Sequence, residues 1–182
     1  MHPRTAMGLI CLAGYVVHAC ALVRSGHPAE LLWACHVGDL LVGLGLLTRL
    51  PRLSAIGLLW LLVGTPAWLL DLARGAELAP TSILTHVGGV LVGWWAARRF
   101  GLPRGSAWLA VATLLALALL CRQVTPPSEN VNMSFHVWDR WADHLPASFT
   151  LTAALALAAH LLAFRFVEER LACPTRTAEV SR

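Results

Sequence analysis

The chain contains no lysine and few charged residues of any kind. Charged residues make up 13% of its 182 residues, whereas apolar residues make up 57%. An ordinary soluble domain carries roughly 25% charged residues. A chain of this composition cannot cover its own surface in water, which excludes a soluble globular domain. The composition therefore predicts an integral membrane protein surrounded by the lipid bilayer.

Several catalytic and metal-binding motifs are also absent. The five cysteines form no C-x-x-C pair and no zinc-ribbon spacing, which argues against a dithiol redox enzyme. The histidine boxes of membrane desaturases are missing, as are H-E-x-x-H, G-x-S-x-G, C-x-x-C-H and a Walker loop. The chain thus shows no motif of these enzyme classes.

Six apolar segments are long enough to predict transmembrane helices. A bilayer span needs about 17–25 residues, and the segments lie near residues 7–23, 31–48, 53–70, 81–97, 106–121 and 148–166. The sequence therefore predicts an all-α, polytopic membrane protein. Residues 1–170 form one six-helix domain in this interpretation, and residues 171–182 form a polar cytoplasmic tail.

The arginines predict the orientation of these helices. If both termini are cytoplasmic, most arginines fall on the cytoplasmic side, as the positive-inside rule requires. These are Arg4, Arg49, Arg52, Arg98, Arg99, Arg104, Arg165, Arg170, Arg176 and Arg182. We expect a multi-pass protein of the cytoplasmic (inner) membrane. The net charge of +4 then reflects topology and gives no reason to expect a nucleic-acid partner.

One phrase of the sequence occurs twice. His36-Val37-Gly38-Asp39-Leu40-Leu41-Val42-Gly43 is echoed fifty residues later, and an L-P-R-x-S-A phrase follows each copy. The second copy reads His86-Val87-Gly88-Gly89-Val90-Leu91-Val92-Gly93. Such self-similarity indicates an internal duplication. It predicts a parallel repeat of a two-helix hairpin, with repeat units at about 31–72 and 81–122.

Three histidines and one carboxylate are predicted to share a layer near the outer surface. His36 and His86 each lie about five residues from the outer end of a helix, which is about 7–8 Å. His18 reaches a similar depth, and Asp39 lies one turn deeper on the face that carries His36. Charged residues inside a membrane usually face a bundle interior or a watery cavity. We therefore expect His18, His36, Asp39 and His86 to form a site.

The longest outer segment, residues 122–147, is predicted to contain a short interfacial helix. Val137, Trp138, Trp141 and Leu145 share one helical face, as in helices that lie on a membrane surface. His136 and Asp139 lie on another face. The segment is interpreted either as a surface anchor or as a lid, built from His136, Trp138, Asp139 and Trp141, over the buried histidines.

The sequence leaves several functions open. His36 and His86 could ligate a b-type haem, or His18, His36, Asp39 and His86 could bind a metal ion, for redox or metal-assisted chemistry. A metal-free hydrolase or acyltransferase on a lipid substrate would use Asp39, His36 and His86 for catalysis, with Cys35 or a hydroxyl as nucleophile. An outward-facing small-solute site, with or without partner membrane subunits, is a third reading. A fourth interpretation gives the histidines a purely structural role, in which they only hydrogen-bond between helices.

Overall fold

The structure, a computed structural model, describes residues 1–136 and 149–172, and within these it is all-helical without a β-strand. Six α-helices lie in these described ranges, one near each predicted segment. They are α1 (Pro3–Ser25), α2 (Ala34–Thr48), α3 (Pro51–Ala73), α4 (Gly89–Phe100), α5 (Ser106–Val124) and α6 (Phe149–Leu171). The described residues also contain two 3₁₀ turns, Pro28–Leu32 and Val131–Met133, and a π turn, Leu84–Gly88.

Within the described residues, three helices are long and apolar enough to cross a membrane. These are α1, α3 and α5, and their exposed side chains include Val16, Leu69 and Leu119. By contrast, α2 has only 15 residues, or about 22 Å against a hydrocarbon thickness of about 30 Å. These helices support a membrane protein, but the six predicted spans are not confirmed as such.

Helices α2 and α3 form a tight hairpin because glycines remove side chains from their contact. A Cβ added to Gly57 would collide with the carbonyl of Gly38, and one added to Gly45 would collide with Ser54. Small residues at such positions let membrane helices approach closely. The hairpin turns at Arg49, whose φ is 62°. Among the described helices, α2 and α3 make the most extensive contact.

Helix α3 lies between α4 and α5. Helix α4 packs on α2 and α3, whereas α5 packs on α3 and α6. The Trp60 indole of α3 donates to the carbonyl of Ala110 in α5 at 2.9 Å. Helices α4 and α5 therefore do not pack along each other as α2 and α3 do, and the predicted hairpin repeat is not confirmed.

The end of the bundle opposite the buried histidines is fastened by Glu168 of α6. Its two carboxylate oxygens accept from the main-chain N–H groups of Gly105 and Ala107, each at 2.7 Å. These groups belong to the first turn of α5, where a helix has N–H groups without partners of its own. One buried carboxylate thus caps α5 and holds α6 against it.

The segment after α5 packs against the other end of the bundle, which we call the histidine end. The Asn132 side chain accepts from the main-chain N–H of Ala34 and donates to the carbonyl of Leu32, both at 2.8 Å. Helix α2 has no capping side chain at its own N-cap, Trp33. Asn132 therefore caps α2 from far along the chain, and fixes the first turn of α2, which carries His36.

Candidate metal centre

Three separate helical segments bring three buried histidines together at the histidine end. His18 lies on α1, His36 in the first turn of α2, and His86 in the π turn before α4. Their exposed fractions are only 1%, 5% and 2%. The ring centroids of His18 and His36 are 4.4 Å apart, and those of His36 and His86 are 5.4 Å apart. The three predicted histidines thus form one cluster.

Main-chain carbonyls fix the protonation of two of these rings. Nδ1 of His36 lies 2.8 Å from the carbonyl oxygen of Glu30, and Nδ1 of His86 lies 2.9 Å from that of Ser82. A carbonyl can only accept a hydrogen bond, so both Nδ1 atoms carry a proton and donate. In the neutral rings, both Nε2 atoms are then lone-pair acceptors directed into the cluster.

His18 can adopt either tautomer. Its Nδ1 lies 2.9 Å from the Thr81 hydroxyl, which can donate or accept, and its Nε2 lies 3.1 Å from Nε2 of His36. Because Nε2 of His36 is an acceptor, two lone pairs cannot face each other at this distance without repulsion. Either His18 donates its Nε2 proton to His36, or a cation lies between the two nitrogens.

His86 presents an unpaired lone pair. Its Nε2 is buried and has no hydrogen-bond partner, whereas buried polar groups in proteins are nearly always paired. The ring stacks on Trp68 of α3 at a centroid distance of 4.4 Å. It also sits in a π turn, a feature frequent at functional sites. The ring is therefore held firmly while its Nε2 stays free for a ligand.

Cys35 joins His36 and His86 in a group that could hold a metal ion. The ligand atoms of these three residues, one from each, lie within 4.8 Å of one another. Sulfur and imidazole nitrogen are the ligand types that zinc prefers. From the sequence alone, Cys35 is a candidate nucleophile and not a predicted metal ligand.

Asp39 does not belong to this group of ligand atoms. It lies on α2 with no exposed surface, and neither carboxylate oxygen has a hydrogen-bond partner. A Cβ on Gly89 would come within 2.7 Å of Oδ1 of Asp39. The glycine that replaces Asp39 in the second phrase of the sequence is thus what makes room for its carboxylate.

A large cavity adjoins the cluster. Its volume is about 670 Å³, and His18, Cys35, His36 and His86 lie in its wall. The rest of the lining is mostly apolar and comes largely from α3, α5 and α6. Ligand sites in proteins typically enclose about 300–1,000 Å³. A metal ion at the cluster would therefore face a space large enough for an organic molecule.

Polar side chains surround the cavity at the histidine end, among them Glu30 in the first 3₁₀ turn. Burial raises the pKa of the Glu30 carboxyl above its usual range; His27 opposes the shift and Glu129 adds to it.

The predicted lid falls largely on residues 137–148, so Trp138, Asp139 and Trp141 lie outside the described residues. His136 is exposed, and its Nδ1 pairs with the Asn130 amide at 3.2 Å.

Trp68 and Thr81 were not identified from the sequence as parts of the site. Trp68 is one of eight tryptophans, and Thr81 resembles an ordinary helix-capping residue. No local pattern separates them from anchors and caps.

Comparison with protein-family models, with curated proteins and with solved structures finds no match for this chain. Its function must be inferred from the site itself.

Proposed function

We propose that the chain is a membrane metalloprotein that binds one transition-metal ion of the zinc class between His36 and His86. The observation that supports this most strongly is the pair of Nδ1–H bonds to main-chain carbonyls. Metal-ligating histidines almost always donate their second ring N–H to such an acceptor, which fixes the tautomer and orients the ring. Both rings have this arrangement, and Nε2 of His86 has no other partner.

His18 completes the proposed coordination as the third histidine ligand, and the Cys35 thiol lies beside the ion. Two nitrogens bound to one tetrahedral zinc at about 2.0–2.1 Å lie about 3.3 Å apart, close to the 3.1 Å between Nε2 of His18 and Nε2 of His36. On binding, His18 passes its proton from Nε2 to Nδ1, and Thr81 changes from donor to acceptor. A small side-chain shift brings His86 from its present spacing, within 4.8 Å of its neighbours in the group, to ligand distance, and the fourth position of the ion stays open.

The geometry favours an ion over the b-type haem that the sequence also allows. Trp68 covers one face of His86, with 4.4 Å between ring centroids, and His18 contacts His36 directly. A porphyrin between His36 and His86 would have to displace both neighbours. An ion needs only the space between the nitrogens, so it fits the packed cluster with less rearrangement.

The proposed role of the ion is metal-assisted chemistry on a molecule in the cavity. A zinc site with three histidines typically keeps a position open for water or substrate, and the ion polarises a carbonyl or phosphoryl oxygen placed there. We place the histidine end at the outer face of the cytoplasmic membrane, because the arginine distribution puts the opposite end inside. The runner-up is a metal-free hydrolase in which the Cys35 thiol attacks a lipid ester beside the histidines.

The proposal is tested by the metal content of the full-length protein, purified in mild detergent and measured by inductively coupled plasma mass spectrometry. We expect about one equivalent of metal in the wild type, and less than a fifth of that in His36→Ala and His86→Ala. His27→Ala is the matched control, because His27 is exposed and lies near the same end of the bundle. It should retain the full metal content.

Two further measurements make the result decisive. Thermal unfolding of each variant checks that metal loss does not simply follow from unfolding. An absorption spectrum of the wild type before and after dithionite detects haem. A Soret band that shifts on reduction would show that the site binds a b-type haem and not a zinc-class ion. If the wild type binds no metal even after incubation with excess zinc, the metal proposal is wrong.

A further inference from the structure

We propose that the cavity binds a lipid with one long hydrocarbon chain and an uncharged polar head, of the monoacylglycerol type. We further propose that such lipids are the substrate class of the metal centre, a step that rests on the proposed function. Three observations support the inference: where the cavity lies, how far it extends along the helices, and which charges surround its opening.

The cavity lies among helices that suit a membrane interior. Its walls come from α3 and α5, two of the helices apolar and long enough to cross a bilayer, and from α6. Residues of α5 that do not line it, such as Trp108 and Leu120, are exposed and apolar. The outward surface of α5 beside the cavity is therefore apolar, as expected of a wall that faces lipid, and this favours a hydrocarbon-rich ligand over a water-soluble one.

The cavity extends deep into the bundle. It is lined by Trp60, which precedes the end of α3 at Ala73 by 13 residues, or about 20 Å of helix. The Trp60 indole N–H already donates to Ala110, and Nδ1 of His160 already donates to Ala156 at 2.6 Å. The deep part of the wall thus offers no free N–H donor from these rings. It suits a hydrocarbon chain better than a polar group.

The opening of the cavity carries groups of both signs. Glu30, Asp71, Glu77 and Arg122 all line it at the histidine end. Three carboxylates and one guanidinium give these four side chains a net negative charge, which does not attract an anionic head. Polar neutral groups such as Asn132 and Ser134 lie beside them. An uncharged head with hydroxyl and ester oxygens meets this environment without burying an unpaired charge.

The ligand then lies with its chain along α3, α5 and α6 and with its head beside His36 and His86. This orientation brings an ester oxygen of the head to the metal centre, where polarisation of the carbonyl would act. It also explains why the histidines form part of the cavity wall instead of being enclosed in the α1–α2–α4 packing alone.

The test is saturable binding of tritiated 1-monooleoylglycerol to the full-length protein in amphipol, measured by scintillation proximity. Ala118 of α5 lines the cavity, whereas Ala116 on the same helix is exposed and does not. We expect Ala118→Phe to weaken binding at least tenfold, and Ala116→Phe to stay within twofold of the wild type. Oleate, which has the same chain but an anionic head, should compete at least tenfold less well.

A second pair of variants on another helix guards against misfolding. Ala156 of α6 lines the cavity, and the neighbouring Ala158 is exposed and does not. We expect Ala156→Phe to weaken binding and Ala158→Phe to leave it unchanged. The inference is overturned if the wild type binds no lipid saturably, if neither cavity variant weakens binding, or if oleate competes equally well.

Metal content measured on the same samples separates this inference from the proposed function. Saturable binding that is sensitive to Ala118→Phe, in a protein without metal, would support the lipid site and overturn its assignment as substrate of a metal centre. A metal-loaded protein without saturable lipid binding would overturn the lipid site and leave the metal centre standing.

Discussion

Replacing Thr81 by valine tests whether a metal ion lies between the histidines. The Thr81 hydroxyl lies 2.9 Å from Nδ1 of His18, and valine has nearly the same shape without the hydroxyl. In the metal-free protein, Thr81 donates to a neutral ring, and this bond stabilises by about 0.5–1.5 kcal/mol. In the metal-bound protein, Nδ1–H of a ring that ligates a cation donates to Thr81.

The hydrogen bond in the metal-bound protein is the stronger of the two, and the difference between their free energies sets the expected loss of metal affinity. A hydrogen bond to a charged group contributes about 1.5–3 kcal/mol, roughly twice a neutral bond. Thr81→Val therefore weakens metal binding by the difference, about 1–1.5 kcal/mol, which is roughly five- to tenfold in Kd. A loss of this size lies near the lower end of the 10–100-fold loss of metal affinity that is typical when the hydrogen-bond partner of a metal ligand is replaced.

The assay is zinc competition between the purified protein and a chromophoric chelator. Thr81→Ser keeps the hydroxyl and should bind zinc as the wild type does. Thr113→Val is a second control, because the Thr113 hydroxyl donates only to carbonyls of its own helix, those of Leu109 at 2.6 Å and Ala110 at 3.2 Å. If Thr81→Val binds zinc with wild-type affinity while it is fully folded, His18 is not a ligand that depends on Thr81.

Two other substitutions test the roles of the buried carboxylates. Asp39→Asn should retain metal within twofold, because the Asp39 oxygens do not belong to the ligand group; a loss of tenfold or more in metal affinity would show that Asp39 is a ligand. Glu168→Gln removes the charge and one of two acceptors that cap α5, so it should lower the free energy of unfolding by about 2–3 kcal/mol in an SDS titration with metal content unchanged. Glu169→Gln, which affects only an exposed pair with Arg165, should cost less than about 1 kcal/mol; equal losses in the two variants would contradict the capping role.

Hydrophobic segments and depth along a helix carried most of the sequence prediction. Apolar runs predicted six helices, and the described residues contain six. Counting residues from the helix ends placed His18, His36 and His86 at one level, and the structure brings their rings together. Both inferences depend on composition and on the fixed rise of a helix, and neither needs knowledge of which helices are neighbours.

Features that depend on neighbouring helices were not predictable in the same way. Cys35 precedes His36 by one residue, so its side chain points about 100° away from that of His36 around the helix axis. A search for ligands that share one helical face therefore does not find Cys35. The acceptors at Glu30 and Ser82 are main-chain carbonyls, which any residue provides. The packing of α4 on α2 and α3, with α5 on the other side of α3, has no signature in the repeated phrase.

The π turn at Leu84–Gly88 makes the site and the packing of α4 independent of each other. A π turn contains one residue more than an α-helical turn, so it shifts the angular position of everything that follows it around the helix axis. Beyond it, Gly89 contacts Asp39 and Gly93 contacts Leu58, and these contacts set the angle of α4. Within it, His86 faces the cluster at an angle that a regular helix would not allow together with those contacts. Deletion of a single residue in this turn would therefore rotate the His86 imidazole out of the cluster, while Gly89 and Gly93 kept their packing against Asp39 and Leu58.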